Sequence, residues 1–148
     1  MRRRGPICET TEIDVAFHDV DLMNVVWHGH YLKYLETARW RLMDRLDYGY
    51  AVMRESGYLW PIIESHVRHV RGAAFGDRLE VHASLVEWHC RLAINYLVTN
   101  AKNRERVARA RTVQVAVLRA TGELQFAPPQ DFIRCVESRL ADCVNEPA

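Results

Sequence analysis

The chain has 148 residues, of which 49% are hydrophobic and 26% are charged, and its formal net charge is +1. This length and composition are typical of one globular domain with its own hydrophobic core, and they exclude a wholly disordered protein. The near-zero charge argues against nucleic acid as the main partner, since such proteins usually carry a strongly basic face. We therefore expect a single domain spanning residues 1–148.

Neither a membrane span nor a metal site is expected from the sequence. No apolar run reaches the length of a membrane-spanning helix, and the basic N-terminus is not followed by the apolar stretch of a secretory signal. The four cysteines form no CxxC pair, and no cysteine–histidine spacing resembles a zinc site. These features predict a cytoplasmic protein with reduced thiols, no membrane partner and no metal.

The N-terminal third of the chain is predicted to contain an arm, a strand, a loop and one long helix. Residues 1–10 are expected to be a loose arm, because a Gly-Pro pair lies inside it. Apolar residues alternate with polar or small ones across residues 13–17, which predicts a strand with one buried face. From residue 30 to 46 apolar side chains recur at helical spacing without Gly or Pro, and Gly49 is a reasonable stop signal.

Strands dominate the rest of the sequence, after a mixed segment with a short second helix. Alternating patterns predict strands near residues 62–71, 79–85, 92–98 and 108–117. The turns between them are short, which favours antiparallel neighbours. Residues 128–148 are expected to be a tail with a short helix. Because an apolar helix face and an apolar sheet face must cover each other, the pattern predicts an α+β fold with an antiparallel sheet around one long central helix.

The segment FHDVDLMNVVWHGHYLKYLE, residues 17–36, places two acids, an apolar run and two histidines directly before the long helix. A helix N-terminus presents unpaired amides and a partial positive charge, which can stabilise a developing oxyanion. Gly29 would let a ligand approach the backbone closely, and the apolar run 23–27 would shield the site from water. An acid and an imidazole there would supply a nucleophile or general base and an orienting group. Such a set of groups suits attack on a carbonyl.

Each of these residues also has a simpler interpretation. Asp19 and Asp21 are common turn residues, and His28 or His30 could lie near a helix start without any chemistry. A metal site made from these histidines and acids is a minor alternative, because no HExxH-like spacing accompanies them. The remaining histidines are interpreted as surface or otherwise satisfied residues: His18, His66, His69, His82 and His89.

The same segment resembles the signature of the 4-hydroxybenzoyl-CoA thioesterase family of hotdog-fold proteins, roughly DxDxxGxVxxxxYxxxxExAR. The matching positions are Asp19, Asp21, Asn24, Val26, Tyr31, Glu36, Ala38 and Arg39. Downstream, AAFGDRLEV at residues 73–81 resembles the family's PAxFGDxLxV element, and the similarity covers about residues 12–118. Asn24 replaces the usual glycine, although asparagine tolerates left-handed backbone angles better than most residues.

This resemblance implies a hotdog fold and a homodimer or homotetramer with active sites at subunit interfaces. It also implies an acyl thioester hydrolase that cleaves acyl-CoA or an acyl carrier protein thioester without a cofactor. Asp21 would be the catalytic carboxylate, His28 would assist it, and the amides of His28 and Gly29 would polarise the thioester carbonyl. Tyr31 and Arg91 would contact the substrate.

Several alternatives stay open at the level of sequence. In a second hotdog subgroup the catalytic acid lies on the central helix, where Glu36 stands here, although an ion pair with Arg39 is the favoured interpretation. The chain could instead be a hotdog dehydratase or isomerase acting on β-hydroxyacyl thioesters, or a non-catalytic acyl-binding module. Family members often contact the coenzyme A phosphates with basic side chains after the third strand. Only Arg91 is firmly placed for this here, which leaves room for an acyl carrier protein as the carrier.

Overall fold

The structure, a computed structural model, describes residues 5–145. Within this range seven strands and three α-helices follow one another: β1 Ile7–Asp14, α1 His30–Arg45, α2 Tyr50–Glu55, β2 Tyr58–Leu59, β3 Ile62–His69, β4 Arg78–Glu87, β5 Leu92–Asn100, β6 Arg106–Gln114, β7 Val117–Leu118 and α3 Gln130–Asn145. A short 3-10 helix, Phe17–Asp19, lies between β1 and α1. None of the helices in the described range is long and apolar enough to cross a membrane.

Five of the strands form one antiparallel sheet in the order β1-β4-β5-β6-β3, and β2 pairs with β7. The pairing register shows which residues lie at each end of the strands in this sheet. His69, the last residue of β3, lies opposite Ala108 near the start of β6. Ile62 and Leu92 both lie opposite Gln114, the last residue of β6. The turn that joins β4 to β5 is therefore at the end of the sheet away from His69.

The long helix α1 packs its apolar face against this sheet. The buried residues of α1 are Tyr31, Tyr34, Leu35, Ala38, Arg39, Leu42 and Met43. The apolar members of this set share one core cluster with the inward residues of β4 and β5, among them Val81, Leu85 and Ile94. Complete burial of one such aliphatic side chain contributes about 2 kcal/mol. The predicted α+β class, with an antiparallel sheet on one long helix, is confirmed.

Both ends of the described chain contain more regular structure than the sequence predicted. β1 begins at Ile7, inside the expected loose arm, and Phe17 belongs to the 3-10 helix rather than to the strand. The arm is ordered because it pairs along β4, with Ile7 opposite Leu85 and both residues buried. α3 has 16 residues and is longer than the expected short helix. Residues 1–4 of the arm and 146–148 of the tail lie outside the described residues.

β3 differs from the other long strands in its exposure. Seven of its eight residues are exposed, and only Val67 is half-buried. As the last strand in the sheet order, it pairs only with β6 among the described residues. Its outer edge presents backbone donors and acceptors without a partner strand, an arrangement that can accept a further strand.

Candidate active site

The loop between β1 and α1 is folded into a defined hairpin-like turn. The Asp21 amide donates to the Val25 carbonyl at 2.9 Å, and Val20 forms a bridge with Val26. Asn24 closes the turn with a φ angle of 61°, in the left-handed region. Asparagine adopts this conformation at a lower cost than most side chains, which explains how it replaces the glycine of the family signature.

The AAFGD element supports this loop from the other side. The Val26 amide donates to the Ala73 carbonyl at 2.8 Å, and the Val15 amide donates to the Asp77 carbonyl at 2.9 Å. The Asp77 carboxylate in turn accepts a hydrogen bond from the Ala74 amide at 2.9 Å, which holds the turn in shape. The two motifs found in the sequence are therefore joined by backbone hydrogen bonds at one end of the sheet.

Asp19 connects the loop to the first turns of α1. Its side chain is buried, with Lys33 Nζ donating to Oδ1 at 2.5 Å and the Tyr34 hydroxyl donating to Oδ2 at 2.8 Å. The Ala16 amide also donates to Oδ2, at 3.2 Å. Burial by itself would raise the pKa of Asp19, but the hydrogen bonds from Lys33, Tyr34 and Ala16 outweigh it and lower the pKa to about 2. Asp19 is thus a charged structural group with both oxygens occupied.

Asp21, by contrast, is only partly buried and retains a free carboxylate oxygen. Its Oδ1 accepts a hydrogen bond from the Met23 amide at 2.8 Å, a contact common in turns. Within residues 5–145, no group donates a hydrogen bond to its Oδ2. Asp21 lines an open cleft of about 270 Å³ together with His28, Tyr31 and His69. The structure therefore brings three of the expected site residues into one cleft.

The N-terminus of α1 lies beside this cleft with no side-chain cap. Gly29 immediately precedes His30, the first helical residue, and no side chain hydrogen-bonds this helix end. The His30 amide donates to the Trp27 carbonyl at 2.9 Å, whereas those of His28 and Gly29 donate to no other described residue. Two backbone donors at a helix N-terminus are thus available to a bound acceptor.

The structure gives a further reason for glycine at position 29. A Cβ atom at Gly29 would lie 2.3 Å from the indole ring of Trp27, so glycine leaves room for this ring. The apolar run was also expected to shield the site, but Met23 is 76% and Trp27 46% exposed. Trp27 packs instead against the rings of His28 and His30, at centroid distances of 5.0 and 5.3 Å. Met23, Val25 and Val26 of this run line the cleft, which stays open to solvent.

Two ring side chains complete the cleft. Tyr31 is 3% exposed, and burial raises its pKa to about 12, so that its hydroxyl keeps its proton at neutral pH. The His69 ring lies 5.0 Å from the Tyr31 ring and 6.4 Å from the His28 ring, between centroids. His69 is exposed, as the sequence indicated, and it also lines the cleft. The sequence pattern places His69 on a strand, but only the pairing of β3 with β6 brings it close to the N-terminus of α1.

Arg91 and Glu36 do not line this cleft. Arg91 Nε lies 3.1 Å from both carboxylate oxygens of Glu87, in the turn at the opposite end of the sheet. Glu36 accepts a hydrogen bond from Arg39 Nη2 at 2.5 Å, which confirms the predicted ion pair. Among residues 5–145, no three His, Cys, Asp or Glu side chains are grouped so as to hold a metal ion.

A family model described as the thioesterase-like superfamily matches residues 15–135. The chain belongs to this superfamily. The matched range contains the whole loop–helix signature and the AAFGD element, and the resemblance to the 4-hydroxybenzoyl-CoA thioesterases is confirmed.

Individual members of the superfamily are similar to this chain over different lengths. A putative acyl-CoA thioesterase of Bacillus subtilis, YneP, is 27% identical over 78 residues, which are 53% of this chain and 56% of that protein. The chain thus spans about half the length of the curated relatives that it matches. The structure of DHNA-CoA thioesterase from Staphylococcus aureus superposes with a TM-score of 0.82 at 20% identity, covering 95% of this chain and 97% of that chain.

The structure of 4-hydroxybenzoyl-CoA thioesterase from a Pseudomonas species gives a TM-score of 0.77 at 20% identity. It covers 90% of this chain and 99% of that chain. At such identities these likenesses show a common fold, and the superfamily member described here has the predicted hotdog fold.

Proposed function

We propose that this chain is a thioester hydrolase that cleaves an acyl-CoA or an acyl carrier protein thioester to a free acid and a thiol. One observation carries the proposal: Asp21, with an oxygen that accepts no hydrogen bond from residues 5–145, lines a cleft beside the uncapped N-terminus of α1. Membership of the thioesterase-like superfamily supports the same reaction.

In this mechanism, the amides of His28 and Gly29 hold the carbonyl oxygen of the bound thioester. Negative charge develops on that oxygen during attack, and donors fixed beforehand stabilise it without reorganisation. Loss of one such donor typically costs ~10²–10³ in rate. The Asp21 carboxylate either attacks the carbonyl carbon or takes a proton from the water that does so. The His28 ring orients the substrate or that water.

Tyr31 contributes a neutral hydroxyl and an aromatic face to the acyl side of the cleft. Because burial raises its pKa to about 12, Tyr31 adds no negative charge that would repel Asp21 or the developing oxyanion. It is the first-turn residue of α1 that lines the cleft, so it lies next to the amides that hold the carbonyl. This position suits a contact with the acyl group close to the reacting carbon.

We also propose that two copies of the chain assemble along the free edge of β3. The exposed apolar side chains Met23, Ile63 and Val70 lie on the loop and on or just after β3, where a second copy would cover them. Antiparallel pairing of two β3 strands would set the His69 end of one sheet beside the opposite end of the other. Arg91 of the partner subunit lies at that end, which gives it access to the phosphates of a bound carrier.

The hydrolytic activity is tested by a thiol-release panel of acyl-CoA and acyl carrier protein thioesters that vary in chain length and aromaticity. The unaltered protein should release thiol from at least one substrate, and Asp21→Asn should lower kcat/KM by about 10² or more. Asp131→Asn is the matched control, because Asp131 is an exposed aspartate on α3 outside the cleft.

Other results of this panel would contradict the proposal. Full activity in Asp21→Asn would show that the acid is wrongly assigned. An enoyl product without free thiol would identify a dehydratase or isomerase. Saturable binding of acyl-CoA without turnover would identify an acyl-binding module.

Assembly is tested by light scattering together with activity. The unaltered protein should be a dimer or tetramer, and Ile63→Glu should shift it towards a folded monomer of low activity, since the charge would be buried against the second copy. Val144→Glu places the same charge on α3, at another exposed valine or isoleucine position, and should change neither property. A fully active monomer would rule out an active site completed by a second copy.

A further inference from the structure

The cleft contains a second imidazole for which the proposed mechanism gives no role. His69 ends β3, and its ring makes an edge contact with Tyr31 at an interplanar angle of 69°. The ring of His28 lies 6.4 Å away, close enough for one bound group to touch both imidazoles. His69 thus approaches from the strand side of the cleft, whereas the amides that hold the carbonyl oxygen belong to the helix side.

Thioester hydrolysis requires a proton to be delivered at the sulfur. When the carbon–sulfur bond breaks, its electron pair goes to sulfur. The alkyl thiolate then takes up a proton, because alkyl thiols are weak acids; the thiol of cysteine, for example, has a pKa of about 8.5. The attacking water forms the new carbon–oxygen bond and releases one proton. The acid and the thiol together then contain both hydrogens of the water, so no further reactant is needed.

Few of the ionisable side chains that line the cleft can deliver this proton. Burial raises the pKa of Tyr31 to about 12, which makes its hydroxyl a weak acid. The Arg71 guanidinium is paired with the Glu105 carboxylate, with Nη1 3.6 Å from Oε1. Asp21 is assigned to the attacking side, and His28 adjoins the amides that hold the oxygen. His69 is the remaining imidazole that can donate this proton, and it lies on the β3 side of the cleft, opposite the amides of α1.

We propose that His69 is a further catalytic residue, whose imidazolium gives its proton to the departing sulfur. The inference rests on the proposed thioester hydrolysis and adds a direction to it: the carbonyl oxygen faces α1 and the leaving thiol faces β3. His69 is recharged, through solvent in the open cleft, by the proton that the water releases when it forms its carbon–oxygen bond.

The test compares His69→Gln with His66→Gln. Glutamine retains hydrogen bonding but has no acidic proton near neutral pH. His66 lies on the same exposed strand and does not line the cleft. Glutamine at position 66 leaves the backbone edge of β3 unchanged, so His66→Gln also controls for effects of a substitution on pairing along β3. Each variant is assayed with the acyl-CoA hydrolysed fastest in the panel and with the S-phenyl thioester of the same acid. Thiophenolate departs without a proton, because arenethiols are much stronger acids than alkyl thiols.

His69→Gln is expected to lower kcat for the acyl-CoA by about 10²-fold, at the lower end of general-acid effects, and for the phenyl thioester by less than about threefold. His69→Asn should behave in the same way, and His66→Gln should change neither substrate. Equal losses on the two thioesters, or no loss at all, would overturn the proposal.

The same experiment separates this inference from the proposed function. Asp21→Asn should lose activity with both thioesters, because attack on the carbonyl precedes departure of either thiol. Retention of both activities in Asp21→Asn would overturn the Asp21 mechanism, whereas a uniform loss in His69→Gln would overturn only the role of His69.

Discussion

Two aspartates separated by a single residue show how environment divides the roles of identical side chains. Asp19 is 2% exposed, and its two oxygens accept hydrogen bonds from Lys33, Tyr34 and the Ala16 amide. Asp21 faces the cleft and has one oxygen without a donor among residues 5–145. A carboxylate surrounded by donors is stabilised as a charge and becomes a poor nucleophile or base, whereas one with a free oxygen can react.

The two aspartates also lie in loop segments that are held to the rest of the structure to different extents. The loop segment around Asp19 is held to α1 by side chains and to the AAFGD turn by backbone hydrogen bonds. The cleft segment from Asp21 to His28 is more exposed, and Val26 is its one buried residue. A rigid region therefore positions a reactive one, which is the arrangement expected where catalytic groups must be held at fixed distances.

The largest expected effect is a loss of activity on substitution of Asp21 that substitution of Asp19 does not match. Asp21→Asn should lower kcat/KM for the preferred thioester by about 10²–10⁴-fold, because the free carboxylate oxygen is lost. Its free energy of unfolding should change by no more than about 0.5 kcal/mol, since the group is partly exposed. Thiol release and urea unfolding measure the two quantities. If Asp19→Asn, at conditions where it is fully folded, lost as much activity as Asp21→Asn, the division between them would be wrong.

The second effect is on stability, and here substitution of Asp19 should matter more than substitution of Asp21. Asp19→Asn should lower the free energy of unfolding by about 2 kcal/mol, which corresponds to the shift of its pKa from 3.8 to about 2. Urea unfolding at neutral pH measures the loss. Asp14→Asn is the control, because Asp14 pairs with Arg78 on the surface, where water screens the ion pair. A smaller loss for Asp19→Asn than for Asp14→Asn would contradict the structural role of the buried acid.

The same pKa shift predicts how the free energy of unfolding depends on pH. Because the folded-state pKa of Asp19 is lowered, its contribution is fully present above about pH 4 and is lost as the pH falls from about 4 to about 2. Urea unfolding at several pH values across this window should show a steeper decline for the unaltered protein than for Asp19→Asn. Parallel declines would show that Asp19 titrates normally in the folded state.

The smallest expected effect concerns the turn between the two regions. Asn24→Ala should destabilise the protein by about 1 kcal/mol, because alanine is less tolerant than asparagine of the φ angle of 61°. Asn24→Gly is the matched variant and should be closer to neutral, since glycine adopts this conformation freely. Thermal or urea unfolding of the pair measures the difference. Equal stability of both variants would show that backbone strain at this residue is negligible.

The sequence predicted those features that depend on neighbouring residues. The helical spacing after His30 gave α1, and the alternation of apolar residues gave β4, β5 and β6. Asp21, His28 and Tyr31 lie in one cleft because a single short segment contains them and the turn at Asn24 folds that segment back.

Features that depend on distant pairing were missed. His69 reaches the cleft only through the register of β3 on β6, which no local pattern encodes. The start of β1 was placed too late because its pairing with β4, rather than a strong apolar alternation, orders its first residues. Asp19 and Asp21 look equivalent in the sequence, and the donor from Lys33, 14 residues away, is what distinguishes them.

The exposure of β3 has a consequence for how the protein should behave on dilution. A strand with a neighbour on only one side opens more readily than an interior strand, and β3 is the strand that ends at His69. If a second copy binds along that edge, dissociation of the two copies loosens the β3 side of the cleft and weakens ligand binding there. By thermodynamic reciprocity, a ligand bound in the cleft then strengthens the association of the two copies. Specific activity would then rise with protein concentration until it reached a plateau, and a bound substrate analogue would move that plateau to lower concentrations.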